Sequence, residues 1–235
     1  MEADHARPVR ARPGALAARR VRRLDPLLDA AARRYAACGR YARHFARAKL
    51  RYDPVYATLL RRRLPERGTF LDLGCGQGLL LALLREARPN LSLHGIDAHP
   101  RRVSIARRAL GTDAVVEQRD LGSLGFPPGC AAVALIDVLL YLPDPDPVLR
   151  AAADALAPGG VLLVREPDAS AGLTFMFTRL SSWFDAMTRG RSSAPIRYRP
   201  AGYWRAQLEG LGFSVEAEPM SSGTPFANML LFCKK

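Results

Sequence analysis

The sequence predicts an α/β fold: a mostly parallel sheet flanked by helices, with an antiparallel last strand and a helical extension ahead of it. Three observations predict it. Short apolar strands alternate with helix-period segments between residues 69 and 164, the pattern of a parallel sheet with right-handed crossovers. Residues 69–78, Thr-Phe-Leu-Asp-Leu-Gly-Cys-Gly-Gln-Gly, run from a strand through three spaced glycines into Leu79-Leu80-Leu81, which opens a helix. Near the chain end, 213–218 and 229–233 read as two strands with no helix between them, so they can pair antiparallel.

Taken in order, residues 1–23 are rich in Arg, Ala and Pro without an apolar period, which predicts a flexible basic N-terminus. Residues 24–67 read as a helical cap. Asp25-Pro26 supplies an N-cap followed by proline at the first helical position. Leu24, Leu27, Leu28, Ala31 and Tyr35 follow helical spacing, and Gly39 can end that helix. A second helix carries Tyr41, Phe45 and Ala48 on one face. Asp53-Pro54 caps a third, closed by Pro65 and Gly68. The domain at 68–235 then alternates: strand 69–73, helix 77–87, strand 91–97, helix 100–110, strand 114–118 and strand 131–137. Asp146-Pro147 starts a helix that Ala157-Pro158-Gly159-Gly160 ends, and 161–164 is a fifth strand. An insertion at 167–198, with Phe175, Phe177, Trp183, Phe184 and Tyr198, leaves the carboxyl edge of the sheet, where open α/β folds bind ligands. That origin favours a substrate lid over a helix that only covers core. A helix near 200–210 precedes the last two strands.

The glycine turn carries the chemistry. Glycine lets the chain turn sharply and lets a ligand approach without a Cβ in the way, and the following helix N-terminus points at it. A dinucleotide site wants G-x-G-x-x-G, with its third glycine at 79. Leu stands there, and the pattern is D-x-G-x-G-x-G. The second strand ends in Asp97, an acid that can accept hydrogen bonds from ribose hydroxyls. Strands ending at Asp120 and Asp137 follow at regular spacing.

This set of motifs resembles the class I S-adenosylmethionine-dependent methyltransferases, closely over 50–165 and more loosely over 199–235. The resemblance implies a Rossmann-like seven-stranded sheet and S-adenosyl-L-methionine as cofactor. It places Asp97, with Ala98 beside it, at the ribose diol. Asp120 and Leu121 flank the adenine, and Asp72 with Gly74, Cys75, Gly76 and Gly78 lies along the methionine portion. Asp137 sits near the reacting methyl. The cofactor is an activated donor, so the protein must align the nucleophile and exclude water. A hydroxyl acceptor also needs a base. Glu166 at the end of the fifth strand, Tyr141 in Asp-Val-Leu-Leu-Tyr, and His44 on the second helix are the candidates. Asn-Pro-Pro-Tyr and Pro-Cys motifs, C-x-x-C pairs and acidic clusters are all missing from the sequence. What remains is in-line O-, C- or N-methylation, without metal, of a small-molecule, lipid or carrier-tethered acceptor. A non-catalytic cofactor-binding scaffold stays open as an alternative. An RNA methyltransferase and a nicotinamide oxidoreductase follow behind it, the latter disfavoured by Leu79.

Composition bounds the rest. Cys38, Cys75, Cys130 and Cys233 show neither metal-ligand nor disulfide-framework spacing, which fits a reducing cytoplasm. No run approaches the length of a membrane span, and no apolar signal-peptide core stands near the N-terminus. The formal charge of +13 is segregated: residues 1–67 hold 18 basic residues against 6 acidic ones, residues 68–235 hold 17 against 16. Segregated charge suggests a partner of opposite sign: an acidic acyl carrier protein, or an anionic membrane surface that would give a cytoplasmic protein a peripheral place there. Nucleic acid is the weakest of the three, because no RNA-binding fold accompanies the basic segment. A solvated arginine face is the plain alternative.

Overall fold

The computed structural model describes residues 25–172, 196–221 and 226–235. The basic segment 1–23 and most of the aromatic insertion, with Phe175, Phe177, Trp183 and Phe184, lie outside them. Helix α1 covers residues 25–33, followed by α2 (Arg40–Tyr52) and α3 (Pro54–Arg61). The sheet elements and their crossovers are β1 (Gly68–Leu73), α4 (Leu79–Ala87), β2 (Leu91–Asp97), α5 (Pro100–Leu110), β3 (Val115–Gln118), β4 (Cys130–Ile136), α6 (Asp146–Asp154) and β5 (Leu156–Pro167). Helix α7 (Ala201–Gly210), β6 (Ser214–Pro219) and β7 (Asn228–Lys234) complete the chain.

The seven strands lie in the order β3-β2-β1-β4-β5-β7-β6. All neighbours are parallel except β7, which runs antiparallel to both β5 and β6. The central strands are apolar on both faces, as a sheet covered by helices on both sides requires. Alternation splits them cleanly. Phe70, Ala132, Ala134, Val161, Leu163, Leu230 and Phe232 face one layer, built from α1 to α5. Leu71, Leu73, Val133, Leu135, Leu162, Val164 and Leu231 face the other, under α6 and α7. The cap helices therefore share the core of the sheet domain: Leu28, Ala31, Tyr35, Leu50 and Leu59 are buried with Leu79 to Leu84.

Several boundaries differ from the sequence expectation. Residue 25 is already helical and α1 stops at 33, passing through turns before Gly39. Gly39, at φ 91°, opens α2 and does not close α1. On α2 the buried face is Ala42, Ala46 and Leu50. Tyr41 and Ala48 point outward, because small side chains let this helix lie close to the core while tyrosine is left to water. Strand β5 is longer than 161–164. The Pro158-Gly159-Gly160 run is a bulge within it, between the Cys130–Leu156 pairing and the Ala132–Val161 pairing. The Asp53-Pro54 cap is as expected: Asp53 Oδ1 accepts from the Val55 N–H at 3.1 Å.

The free edge of β6 is held by the cap. Arg62, the residue after α3, donates to Glu216 and to Glu218 at 2.6 Å each and lies over the Phe232 ring.

Among the described residues Trp204 is the largest fully buried side chain, standing edge-on to Tyr203 between α7 and the sheet. Trp204→Ala is expected to lower unfolding free energy by about 3–5 kcal/mol, and Trp204→Phe by much less. Urea unfolding of the two variants checks this.

Candidate functional site

The site forms where β1, β2, β3 and β4 end together. Parallel pairing sets Asp72 opposite Gly95 and Asp97 opposite Gln118, so the acidic strand ends line one edge. The turn after β1 is tied to β2 by its backbone: the Gly74 and Cys75 N–H groups donate to the Ile96 carbonyl at 2.7 and 3.0 Å. Asp97 then clamps the turn from its side chain. Its Oδ2 accepts from the Gly76 N–H at 2.9 Å and its Oδ1 from the His99 N–H at 2.8 Å.

The three glycines have different jobs. A Cβ on Gly74 would stand 2.4 Å from Val138 Cγ2, and one on Gly78 would stand 2.9 Å from Leu110 Cδ1. Both glycines serve close packing. Gly76, at φ 56°, is the open one: apart from its two chain neighbours, no atom of the described residues lies within 4 Å of where its Cβ would stand. Leu79, where a dinucleotide site would need glycine, is buried at the start of α4. Cys75 is buried below the turn.

Farther along the edge, Ala98 is exposed and Leu121 buried. Asp120 Oδ1 accepts from the Gly122 N–H at 2.7 Å, capping the 3₁₀ turn Leu121–Ser123. The Arg119 N–H donates to the Asp97 carbonyl at 3.1 Å, which keeps this segment beside Asp97. Asp137 follows β4 in a left-handed conformation, φ 55°, a cost tolerated at sites where the surroundings enforce it. Its Oδ1 is buried and unpartnered among the described residues.

A buried ionic group missed by the sequence reading holds Asp137 in place. Arg165, at 2% exposure, donates through Nη1 to Asp137 Oδ2 at 2.6 Å and to Asp53 Oδ2 at 3.1 Å. Lys49 Nζ stands 2.7 Å from Asp53 Oδ2 and 3.9 Å from Asp137 Oδ2. Burial pushes the Asp53 carboxyl up, but Arg165 and Lys49 together hold it below the usual carboxylate range. The signal in the sequence was Arg165-Glu166 ending an otherwise apolar strand. A second cap contact reaches the glycine turn, where the Tyr35 hydroxyl donates to the Gln77 carbonyl at 2.8 Å.

The three catalytic candidates separate. Glu166 is buried, and its carboxylate accepts from the Val138, Leu139 and Leu140 N–H groups at 3.0, 2.7 and 3.3 Å. Both oxygens are engaged in holding the turn after β4, so its position is that of an anchor and not of a base open to substrate. Burial pushes its pKa up to about 8, with the Asp137 charge adding and the three N–H groups opposing. His44 is exposed on the outward side of α2, away from this edge, because the helix buries its opposite face. Tyr141 ends the 3₁₀ turn that begins just after Asp137 and is half-buried; it alone of the three remains beside the site. Among the described residues no group of three His, Cys, Asp or Glu side chains could hold a metal ion.

The residues fit a cationic, ribose-bearing ligand. One glycine leaves open space, and the Asp97 and Asp137 carboxylates stand at the strand ends around it. Asp72 is pushed up to about 7 by burial, with Asp97 adding to the effect.

Comparison with known proteins agrees with this fold. A family described as "Methyltransferase domain" matches residues 41–218. A demethylmenaquinone methyltransferase of Thermus thermophilus is 30% identical over 194 residues, 75% of this chain and 87% of that protein. A trans-aconitate 2-methyltransferase of Methylobacterium nodulans is 35% identical over 127 residues, 54% of this chain. The match spans about half of that relative, 49% of its length. Among solved structures, the S-adenosylmethionine-dependent methyltransferase SibL in its apo form aligns with a TM-score of 0.62 at 22% identity, over 83% of this chain and 57% of its own. The [4+2]-cyclase SpnF aligns at 0.57 and 21%, over 76% and 78%. These two share the fold.

The Asp72 environment sets a pH dependence. Below about pH 4 the acid is protonated in folded and unfolded chains alike, and folding carries no penalty from it. As pH rises towards 7 only the unfolded chain ionises, so stability is lost, by about 4 kcal/mol at most. Asp72→Asn is expected to remove that loss, leaving the variant's advantage largest above pH 7. Urea unfolding of both proteins across this range checks it, and an equal pH slope would refute it.

Proposed function

The chain belongs to the class I S-adenosylmethionine-dependent methyltransferase family, and on that premise we propose that it transfers the cofactor methyl in line to a small-molecule or lipid acceptor. The observation that carries the reading is the Asp97 clamp on a turn whose one open glycine is Gly76. When bound, S-adenosyl-L-methionine supplies a sulfonium-activated methyl group.

The chain's own residues supply binding, alignment and charge. Asp97 presents its remaining lone pairs to ribose hydroxyls, as an acid at the end of the second strand does in nucleotide folds. Asp120 and Leu121 border the adenine side. Asp137 places negative charge near the cationic portion, and Asp72, pushed up to about 7 by burial, adds to it only where it ionises. Arg165 holds Asp137 in place through its 2.6 Å contact. Tyr141, at the end of the 3₁₀ turn that follows Asp137, is the residue we assign to the acceptor.

With Glu166 engaged by three amides and His44 turned outward, Tyr141 is the one candidate left beside the site, and neither the carboxylate nor the imidazole candidate is free to act as a base. This favours an acceptor whose nucleophile is already ionised near neutral pH, such as a carboxylate or an acidic enol or phenol. The relatives' substrates, trans-aconitate and demethylmenaquinone by their names, are compatible with that class. Carrier-tethered acceptors and nitrogen or carbon nucleophiles remain within the proposal.

Calorimetry with S-adenosylhomocysteine tests the cofactor site. Asp97→Ala is expected to weaken binding by about 1–3 kcal/mol, the range for a charge-assisted hydrogen bond. Gly76→Ala should remove binding for about 1–2 kcal/mol of folding cost at its left-handed φ, whereas Gly78→Ala should chiefly destabilise the packing of α4 on α5. Unchanged affinity in both Asp97→Ala and Gly76→Ala would overturn the site. Transfer of labelled methyl to a panel of carboxylate and phenol acceptors tests the acceptor class.

A further inference from the structure

Helix α2 has two faces with different chemistry. Its inner face buries Ala42, Ala46 and Leu50, and carries Lys49 to within 3.9 Å of Asp137. Its outer face is basic and aromatic. Arg40, Arg43, Arg47 and Arg51 recur at spacings of three and four residues, which aligns them in one row along the helix. All four are exposed. No acidic residue occurs in the thirteen residues of α2. Arg51 stands 3.9 Å from Asp25; among the described residues Arg40, Arg43 and Arg47 pair with no acid. Beside that row lie Tyr41 and Tyr52, 56% and 73% exposed, with Ala48 between them.

We propose that this outer face docks the protein onto an anionic phospholipid surface, and that the methyl acceptor is an amphiphile held in that surface. The second half rests on the methyltransferase reading above. A single row of guanidiniums along one side of a helix matches a plane of phosphates, and each basic residue near such a surface contributes a favourable increment. Tyrosines flanking the row suit headgroup depth, where the ring is apolar and the hydroxyl wet. Single-stranded nucleic acid also meets arginine and tyrosine, but it needs neighbouring stacking platforms. Tyr41 and Tyr52 are about 16 Å apart along the helix axis. One face of Tyr41 is already stacked on Phe45, at 6.0 Å and 13°. Docking on this face would leave only the thickness of one helix, about 10 Å, between the lipid surface and the edge that carries Asp137.

Vesicle co-sedimentation of the full chain tests the proposal. Phosphatidylcholine vesicles are compared with vesicles that also contain phosphatidylglycerol, at low and physiological salt, with a single-stranded RNA oligomer and an acidic carrier protein as alternative ligands. The expected result is partition onto the anionic vesicles alone, weakened by salt. Arg40→Gln, Arg43→Gln and Arg47→Gln together should reduce it about a hundredfold, at roughly fivefold per charge. Tyr41→Ser with Tyr52→Ser should reduce it several-fold, most visibly at physiological salt. Equal partition onto both vesicles, indifference to the arginine changes, or binding to RNA or the carrier protein without binding to vesicles would overturn it. S-adenosylhomocysteine calorimetry on the same preparations separates the two readings. Intact cofactor binding without vesicle binding sinks the docking surface alone; vesicle binding without cofactor binding sinks the methyltransferase reading and leaves docking standing.

Discussion

A buried guanidinium is the constraint on which the reactive edge depends. Arg165 lies in the interior of a strand that is otherwise apolar, and an unpaired cation there would cost several kcal/mol. Two carboxylates from distant parts of the chain offset that cost: Asp53 from the start of α3 and Asp137 from the turn after β4. The requirement fixes geometry. The cap cannot slide over the sheet without stripping Asp53 from Arg165, and the turn after β4 cannot relax from its left-handed conformation without removing Asp137. Glu166, the next residue along the strand, points to the opposite face by simple alternation and takes three amides of the same turn. The turn is thus held from both sides by neighbours in sequence.

That arrangement explains why the cap and the sheet share one hydrophobic core. Tyr35 reaches the glycine turn, and Lys49 and Asp53 reach the turn after β4. The two turns that border the candidate site are each touched by the N-terminal helices, so the extension helps to hold that edge.

Periodicity and glycine spacing made most of the fold legible in the sequence. The strand alternation, the D-x-G-x-G-x-G turn and the Asp97 strand end are local signals, and the structure puts them in one place. What the sequence could not separate was the work of individual glycines, because Gly74 and Gly78 are constrained by Val138 and Leu110, contacts that exist only after folding. The outward face of α2 was misread for a related reason: Tyr41, Phe45 and Ala48 have apolar spacing, yet alanines and Leu50 pack closer. The charged pair at the end of an apolar strand marked Arg165, but its role was not legible because its partners lie 112 and 28 residues away. Glu166 read as a candidate base on type and position alone, and only the three amides around it reveal an anchor.

The pairing of Arg62 with Glu216 and Glu218 has a consequence for solubility. Strand β6 is the outermost strand on its side, and an uncovered strand edge is a template on which another chain can add a strand. Here the edge carries two glutamates, ends in Pro219, and is crossed by an arginine from the cap. Charge and proline both discourage strand addition, and the arginine keeps the glutamates in place. The same cap that frames the cofactor edge therefore also guards the far margin of the sheet against self-association. Changes to the cap made for catalytic reasons can surface first as aggregation.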